Sequence, residues 1–231
     1  MIKKILGRSV GGTAIAGLVL TAAPVTVAAP QIVQVACPYP ATIASSTNLT
    51  LSRYVAQFGA VTSATITVSS GAGTPGGQVR LVVNGKSKGL KTLSAGTATY
   101  QLPRRLAARK THTVKAEYVG SCVHQPSAST KSYSVFKAKT STRGKVVKAK
   151  AAKFRARVTA STGILVKSGK VAFVVKKANG TKVRAGIRKV RRGVARVDLK
   201  NLPRGNYKLV TRYLGTGNFK ASRGVKRFRV R

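Results

Sequence analysis

The sequence predicts an all-β protein of two tandem antiparallel sandwiches, and three observations carry that expectation. The first is an internal repeat. Tyr118–Ser127 (YVGSCVHQPS) returns as Tyr213–Ser222 (YLGTGNFKAS), and GQVRLVV at 77–83 returns as GKVAFVV at 169–175. GTATYQLP at 96–103 matches GVARVDLKNLP at 193–203 with three extra residues, and THTVKAEY at 111–118 matches NYKLVTRY at 206–213. A period of roughly ninety-five residues is too long for a solenoid unit and right for a small domain. The second observation is alternation. In KFRARVTA, Phe154, Ala156 and Val158 take one face and Lys153, Arg155 and Arg157 the other; Ala195, Val197 and Leu199 alternate with Arg196 and Asp198. Such short period-two runs are half-buried antiparallel strands. The third is punctuation: each GxVxxVV run is followed by Asn-Gly, at 84–85 and 179–180, which supplies the positive φ angles of a tight hairpin.

In chain order, residues 1–28 read as a signal peptide. Lys3, Lys4 and Arg8 form a basic n-region, Val10–Leu20 an apolar h-region, and the small residues ending TVAAP a cleavage site, with the cut expected after Ala28. The apolar run is short and Gly-rich for a membrane span, so export and release are expected. Residues 29–40 form an N-terminal segment, 41–135 the first domain and 136–231 the second, with the junction near 136–145. Each unit offers six or seven strands with turns every eight to twelve residues, the rhythm of a sandwich.

The motifs G-x-V-x-F at 169–173, LPxG-x-Y at 202–207 and Y-x-G-x-x-x-F-x-x-S at 213–222 resemble those of the bacterial immunoglobulin-like repeat domains of secreted and surface proteins. The resemblance covers nearly all of 136–231. It is looser over 41–135, where Leu81 stands for Phe173, His112 for Tyr207 and His124 for Phe219. It implies two tandem immunoglobulin-like sandwiches, in a family that serves as spacers, adhesive modules and binding modules alike. Phe219 is then expected to plug the end of its sandwich, and the two histidines to replace structural aromatics, a metal or catalytic pair being the alternative. In such a sandwich the first strand starts at the end that holds the last turn, so Cys37 and Cys122 are expected to form a disulfide, permitted by export. Closing about 85 residues, it would stabilise by roughly 4–5 kcal/mol in the chain-entropy account. A free thiol at Cys122, or a lipid on Cys37, are the alternatives.

Catalysis is not expected. The chain has two acids, Glu117 and Asp198, one in each unit and both on outward strand positions. That excludes a carboxylate pair for glycoside hydrolysis, a triad within one domain and a calcium cluster. GAGTPGG at 71–77 lacks the strand–loop–helix context of a phosphate cradle. No cofactor, metal or small-molecule substrate is expected.

The charge is the functional clue. Against the two acids stand 44 Lys and Arg, a formal net charge of +42. Residues 136–231 hold 30 of these cations and 30–135 only 11. Lys148, Lys150, Lys153, Arg155, Arg157, Arg188, Lys189, Arg191, Arg192 and Arg196 are the candidate polyanion-binding residues. The run RKVRR is placed between strands, and KVVKAKAAK near the junction. Mutual repulsion of such charges is relieved by a polyanion, whose condensed counterions are released on binding. The expected partners are anionic polymers of the envelope or extracellular space: wall polymers, acidic polysaccharide, extracellular DNA bound without sequence preference, or an anionic membrane surface. The alternative is a spacer or adhesion module that recognises a protein or glycan through its loops.

Overall fold

The computed structural model describes residues 41–231, and all of the regular structure there is strand. The expected signal peptide, the 29–40 segment and Cys37, with the disulfide or lipid expected on it, lie outside the described residues. In the first sandwich β1 (Ser45–Leu51), β3 (Ser63–Ser70) and β6 (Thr97–Gln101) form one sheet in the order β1-β3-β6. The facing sheet runs β2-β8-β7-β4-β5, from β2 (Val55–Gln57), β4 (Gln78–Val83), β5 (Lys86–Thr92), β7 (Lys110–Tyr118) and β8 (Ser127–Phe136). In the second sandwich β9 (Thr140–Lys148), β10 (Lys153–Ala160) and β13 (Val194–Asp198) give the sheet β13-β10-β9. β11 (Lys170–Lys177), β12 (Lys182–Lys189), β14 (Gly205–Tyr213) and β15 (Ser222–Val230) give β12-β11-β14-β15. No named sheet mixes strands from the two halves. Two tandem immunoglobulin-like sandwiches are thus the fold.

The alternation read from the sequence is the packing pattern. Phe154, Ala156 and Val158 are buried, as are Val171, Phe173 and Val175 on the facing sheet. Each large side chain so buried stabilises by roughly 1.5–3 kcal/mol. One pair departs from the antiparallel expectation: β2 runs parallel to β8, Val55 opposite Ser134. The two Asn-Gly turns also differ. Asn84 and Gly85 both have positive φ (49° and 77°), a two-residue hairpin between Val83 and Lys86. At 179–180 only Gly180 does (φ 89°), and its N–H donates to Lys177 O in a longer loop. The register slips between Val175 and Lys176, so the tight hairpin expected there is a bulged one.

The repeated Tyr and Gly are one device. The Tyr213 hydroxyl donates to Ser168 O (3.0 Å), which lays its ring over Gly169; Tyr118 donates to Gly76 O (2.7 Å) and lies over Gly77. The histidines replace aromatics with different success. Asn84 Oδ1 accepts from Thr113 N–H, so its amide nitrogen donates to His112 Nδ1 (2.8 Å) and His112 Nε2–H donates to Ala107 O (2.9 Å). This corner resembles Tyr207, whose hydroxyl donates to Pro203 O. His124 is buried, and its Nε2 meets no hydrogen-bond partner. Ser121 Oγ accepts from the N–H groups of Val123 and His124, so its proton goes to His124 Nδ1 (3.3 Å) and the orphaned Nε2 carries a hydrogen. His124→Phe removes that buried donor and restores the residue of the second repeat. The expected result is a gain of about 1 kcal/mol in urea unfolding.

Phe219 does more than plug its own sandwich. It meets Phe58 of the first half edge-on, centroids 5.3 Å apart. Around this contact Gln57 Oε1 accepts from Lys139 N–H (3.1 Å) and Ser161 Oγ (2.8 Å), and Thr162 Oγ1 donates to Phe58 O (2.9 Å). Ala108 N–H donates to Asn218 Oδ1 (3.0 Å), while Arg104 spans the joint from Gly59 O to Thr162 O, both at 3.0 Å. The connection is therefore 137–139, shorter than the expected 136–145, because β9 already begins at Thr140. Phe219→Ala with Arg104→Ala should loosen the joint while each sandwich keeps its own core. Small-angle scattering should show a broader distribution of lengths, with little change in circular dichroism.

Candidate functional site: a cation field on the second sandwich

β10 is the central strand of its sheet, so its outward residues have neighbours on both sides. Arg155 lies opposite Arg196 of β13 and opposite Lys145 of β9. Arg157 lies opposite Arg143, and Lys153 opposite both Lys148 and Asp198. Like charges directly across an antiparallel pair destabilise it, and this face places one after another. Asp198 is the single acid. Lys200 N–H donates to its Oδ1 (3.1 Å), and Lys153 Nζ stands 3.4 Å from its Oδ2. The backbone bond first, and Lys153 second, hold its carboxyl below the usual range.

The field turns a corner at the open edge of the sandwich. Arg188, Lys189, Arg191 and Arg196 line a cleft of about 370 Å³ together with Val194. A neighbouring cleft of about 340 Å³ is lined by Lys167, Lys170, Lys189 and Arg191 around Gly169. Of the sequence candidates, Lys148, Lys153, Arg155, Arg157 and Arg196 thus share one three-stranded surface, and Arg188, Lys189 and Arg191 adjoin it through Arg196. Two stand apart: Lys150 in the β9–β10 turn and Arg192 in the β12–β13 turn, at φ 47° beside Gly193.

The structure corrects two placements. Arg188 and Lys189 end β12 rather than lying between strands, since the strand needs both to reach the turn at Val190, which is buried. The 145–153 run is not near the junction. β9 leaves the junction at Thr140 and carries Lys148 to the far end, roughly 25 Å away at 3.3 Å per residue.

Arg143, Lys145, Lys167 and Lys170 were not among the candidates. For β9 the reason is local. Its inward residues are Thr142, Gly144 and Val146, because a Cβ at Gly144 would already lie 3.0 Å from Thr211 and 3.2 Å from Leu209. A strand whose inner face is Thr-Gly-Val does not stand out by hydrophobicity. Lys167 and Lys170 flank a loop, where alternation gives no signal.

The first sandwich treats its charges differently. Glu117 takes Arg80 at 2.6 Å and Lys115 at 3.0 Å, and its hydrogen bonds to Lys115 first and Arg80 second lower its pKa. A depressed carboxyl stabilises the fold above the unfolded-state value, and that contribution is lost as pH falls through the folded one. Wild-type stability should therefore decline as pH drops below about 4.5, and Glu117→Gln should flatten that limb in unfolding curves measured across the acid range. Among the described residues no group of three or more His, Cys, Asp or Glu could hold a metal.

Comparison with known proteins places the fold. Residues 49–135 match the bacterial Ig-like domain (group 3) family model. No curated protein matches. Among solved structures, the tetra-tandem repeat in the extending region of a large adhesion protein is 13% identical over 82% of this chain, with a TM-score of 0.46. This chain spans 50% of that one. The Yersinia pseudotuberculosis adhesin InvE is 16% identical over 80% of this chain and 59% of its own, with a TM-score of 0.38. A Parabacteroides merdae β-glucuronidase is 15% identical over 80% of this chain and 25% of its own, with a TM-score of 0.28. At such identities no function transfers. The family match falls on the first sandwich, although the quoted motifs are more complete in the second. What the match shows is that the first sandwich, over 49–135, is similar to the bacterial Ig-like domains of group 3.

Proposed function

We propose that this chain is a non-catalytic, extracellular Ig-like module whose second sandwich associates electrostatically with anionic polymers of the envelope or its surroundings. The observation that carries the reading is the opposed row Lys145–Arg155–Arg196. A sheet that sets cations directly against one another, with one acid nearby, is relieved when a polyanion lies across it. Among the described residues no helix offers itself to a groove and no aromatic platform faces the field, so the proposed recognition is by charge and tolerant of sequence. Retention on purified wall polymer, acidic polysaccharide and DNA should fall steeply through a salt series and vanish near molar salt, where screening shortens to about 3 Å. Retention on neutral glycan should be absent throughout. Binding to none of the polyanions in dilute buffer would falsify the reading.

The family match favours a second reading, a spacer or adhesion module that recognises a protein or glycan by its loops. Such binding would survive molar salt. Either role suits a stapled first sandwich. The chain entering β1 donates from Ile43 N–H to Val123 O (3.1 Å), beside Cys122. A Cys37–Cys122 disulfide is accordingly part of the proposal, and peptide mapping without reductant should recover the 37–122 pair.

A further inference from the structure

The other face of the second sandwich carries a different pattern. On the four-stranded sheet, Val171, Phe173 and Val175 point into the core, so Lys170, Ala172, Val174 and Lys176 point out. Val174 lies opposite Ala185 on one side and Val210 on the other, and Val210 lies opposite Val225. Ala185, Val174, Val210 and Val225 thus form an apolar row across all four strands, in which Val210 is covered by its neighbours and 9% exposed, and which Ala172 and Ile187 broaden toward one end. Ile187 and Val225 are 54% and 51% exposed. Cations bound the stripe on both sides. Arg212 lies opposite Arg223 on one side; on the other, Lys208 lies between Lys176 and Arg227. The two flanks are four residues apart along β14, roughly 13 Å.

The repeat supplies a comparison. The same row in the first sandwich reads Ser87, Val82, Lys115 and Thr130, and its Lys115 is paired with Glu117. A polar row is thus compatible with this position in the fold. The second sandwich is apolar there, although it is the half that is otherwise crowded with charge.

We propose that this stripe docks on the surface of a bilayer containing anionic lipid, with Val225, Ile187 and their neighbours entering the headgroup–acyl boundary and the flanking cations meeting the phosphates. Charge complementarity selects this occupant. A second copy would bring cation rows against cation rows. A hydrophilic polyanion would satisfy the flanks and leave the apolar row in water. An anionic lipid surface matches both, with about 1 kcal/mol gained per cation near it and further gain from burying apolar area. Long Lys and Arg stems can lie along the stripe while their charges reach outward. The opposed cation rows lie on the other, three-stranded sheet, and the field reaches the stripe's sheet only at its edge through Lys170, Arg188 and Lys189, so the inference goes beyond polymer association and stands separately from it.

The chain has no tryptophan, so Ile187→Trp is a single reporter on the stripe. With vesicles of phosphatidylglycerol and phosphatidylcholine its emission should shift to the blue and be quenched by bromine-labelled acyl chains. With dextran sulfate it should do neither. Separately, Ile187→Ser with Val225→Ser, both exposed and outside the core, should weaken co-sedimentation with the anionic vesicles by about tenfold and leave dextran sulfate binding unchanged. Equal vesicle binding by wild type and double variant, or unshifted emission from vesicle-bound Ile187→Trp protein, overturns the proposal. Dextran sulfate binding without vesicle binding overturns it and leaves the polymer reading standing; loss of both defeats the two together.

Discussion

Gly169→Ala should destabilise the second sandwich by about 3 kcal/mol or prevent it from folding. Two costs add at this residue. Its φ is 105°, a conformation that residues with a Cβ rarely adopt, and a Cβ there would lie 2.5 Å from the Tyr213 ring and 2.7 Å from its hydroxyl. The ring cannot withdraw cheaply. Tyr213 is fully buried, its hydroxyl donates to Ser168 O, and its burial pushes the phenol pKa up. Relief would mean breaking that bond and opening the core around Val171. Chemical denaturation should show the loss in the second sandwich's transition. Gly217→Ala is the control: its φ is outside the positive range and its Cβ would meet nothing within 4 Å, so it should be close to neutral. If Gly169→Ala were as harmless as Gly217→Ala, the Tyr–Gly device would not be what holds the repeat together.

That device shows what was legible beforehand. Tyr-x-Gly and Gly-x-Val recur because both are fixed by backbone geometry within one unit, and such constraints leave the same letters in each copy. Alternation likewise exposed the core of β10 and β13, where inner residues are apolar and outer ones charged. The joint between sandwiches left no such trace. Phe58, Gln57 and Arg104 contact Phe219, Ser161 and Thr162 across more than fifty residues of sequence, and none belongs to a periodic run. Phe219 looked like an end plug because its partner could not be read from its neighbours. The cation field was half legible for the same reason. Cations on β10 and β13 stand out against apolar inner residues, whereas those of β9 alternate with Thr142 and Gly144. The apolar stripe of the other sheet was invisible, since an exposed valine and a buried one are the same letter until the register is known.

Replacing Lys145, Arg155, Arg157 and Arg196 together by Gln should weaken polyanion binding and stabilise the fold at the same time. The four occupy the outer face of β9, β10 and β13, with Arg155 opposed to both Lys145 and Arg196 and Arg157 opposed to Arg143. In the proposed association each would contribute to affinity by releasing counterions from the polymer, about 0.9 in the slope of log K against log salt per phosphate on a duplex. Losing four contacts should make that slope shallower by roughly 3 and lower affinity at low salt by at least a hundredfold. The same substitutions remove three directly opposed like-charge pairs, each costing a few tenths of a kcal/mol. Unfolding at low ionic strength should therefore require about 1 kcal/mol more, a difference that fades as salt screens the wild-type repulsion. Opposite signs make the experiment decisive. A variant that bound less because it was damaged would also be less stable, and cations that served solubility alone would leave the salt slope unchanged. Only a face strained by its own charge and relieved by a ligand gives up affinity and gains stability through the same four residues.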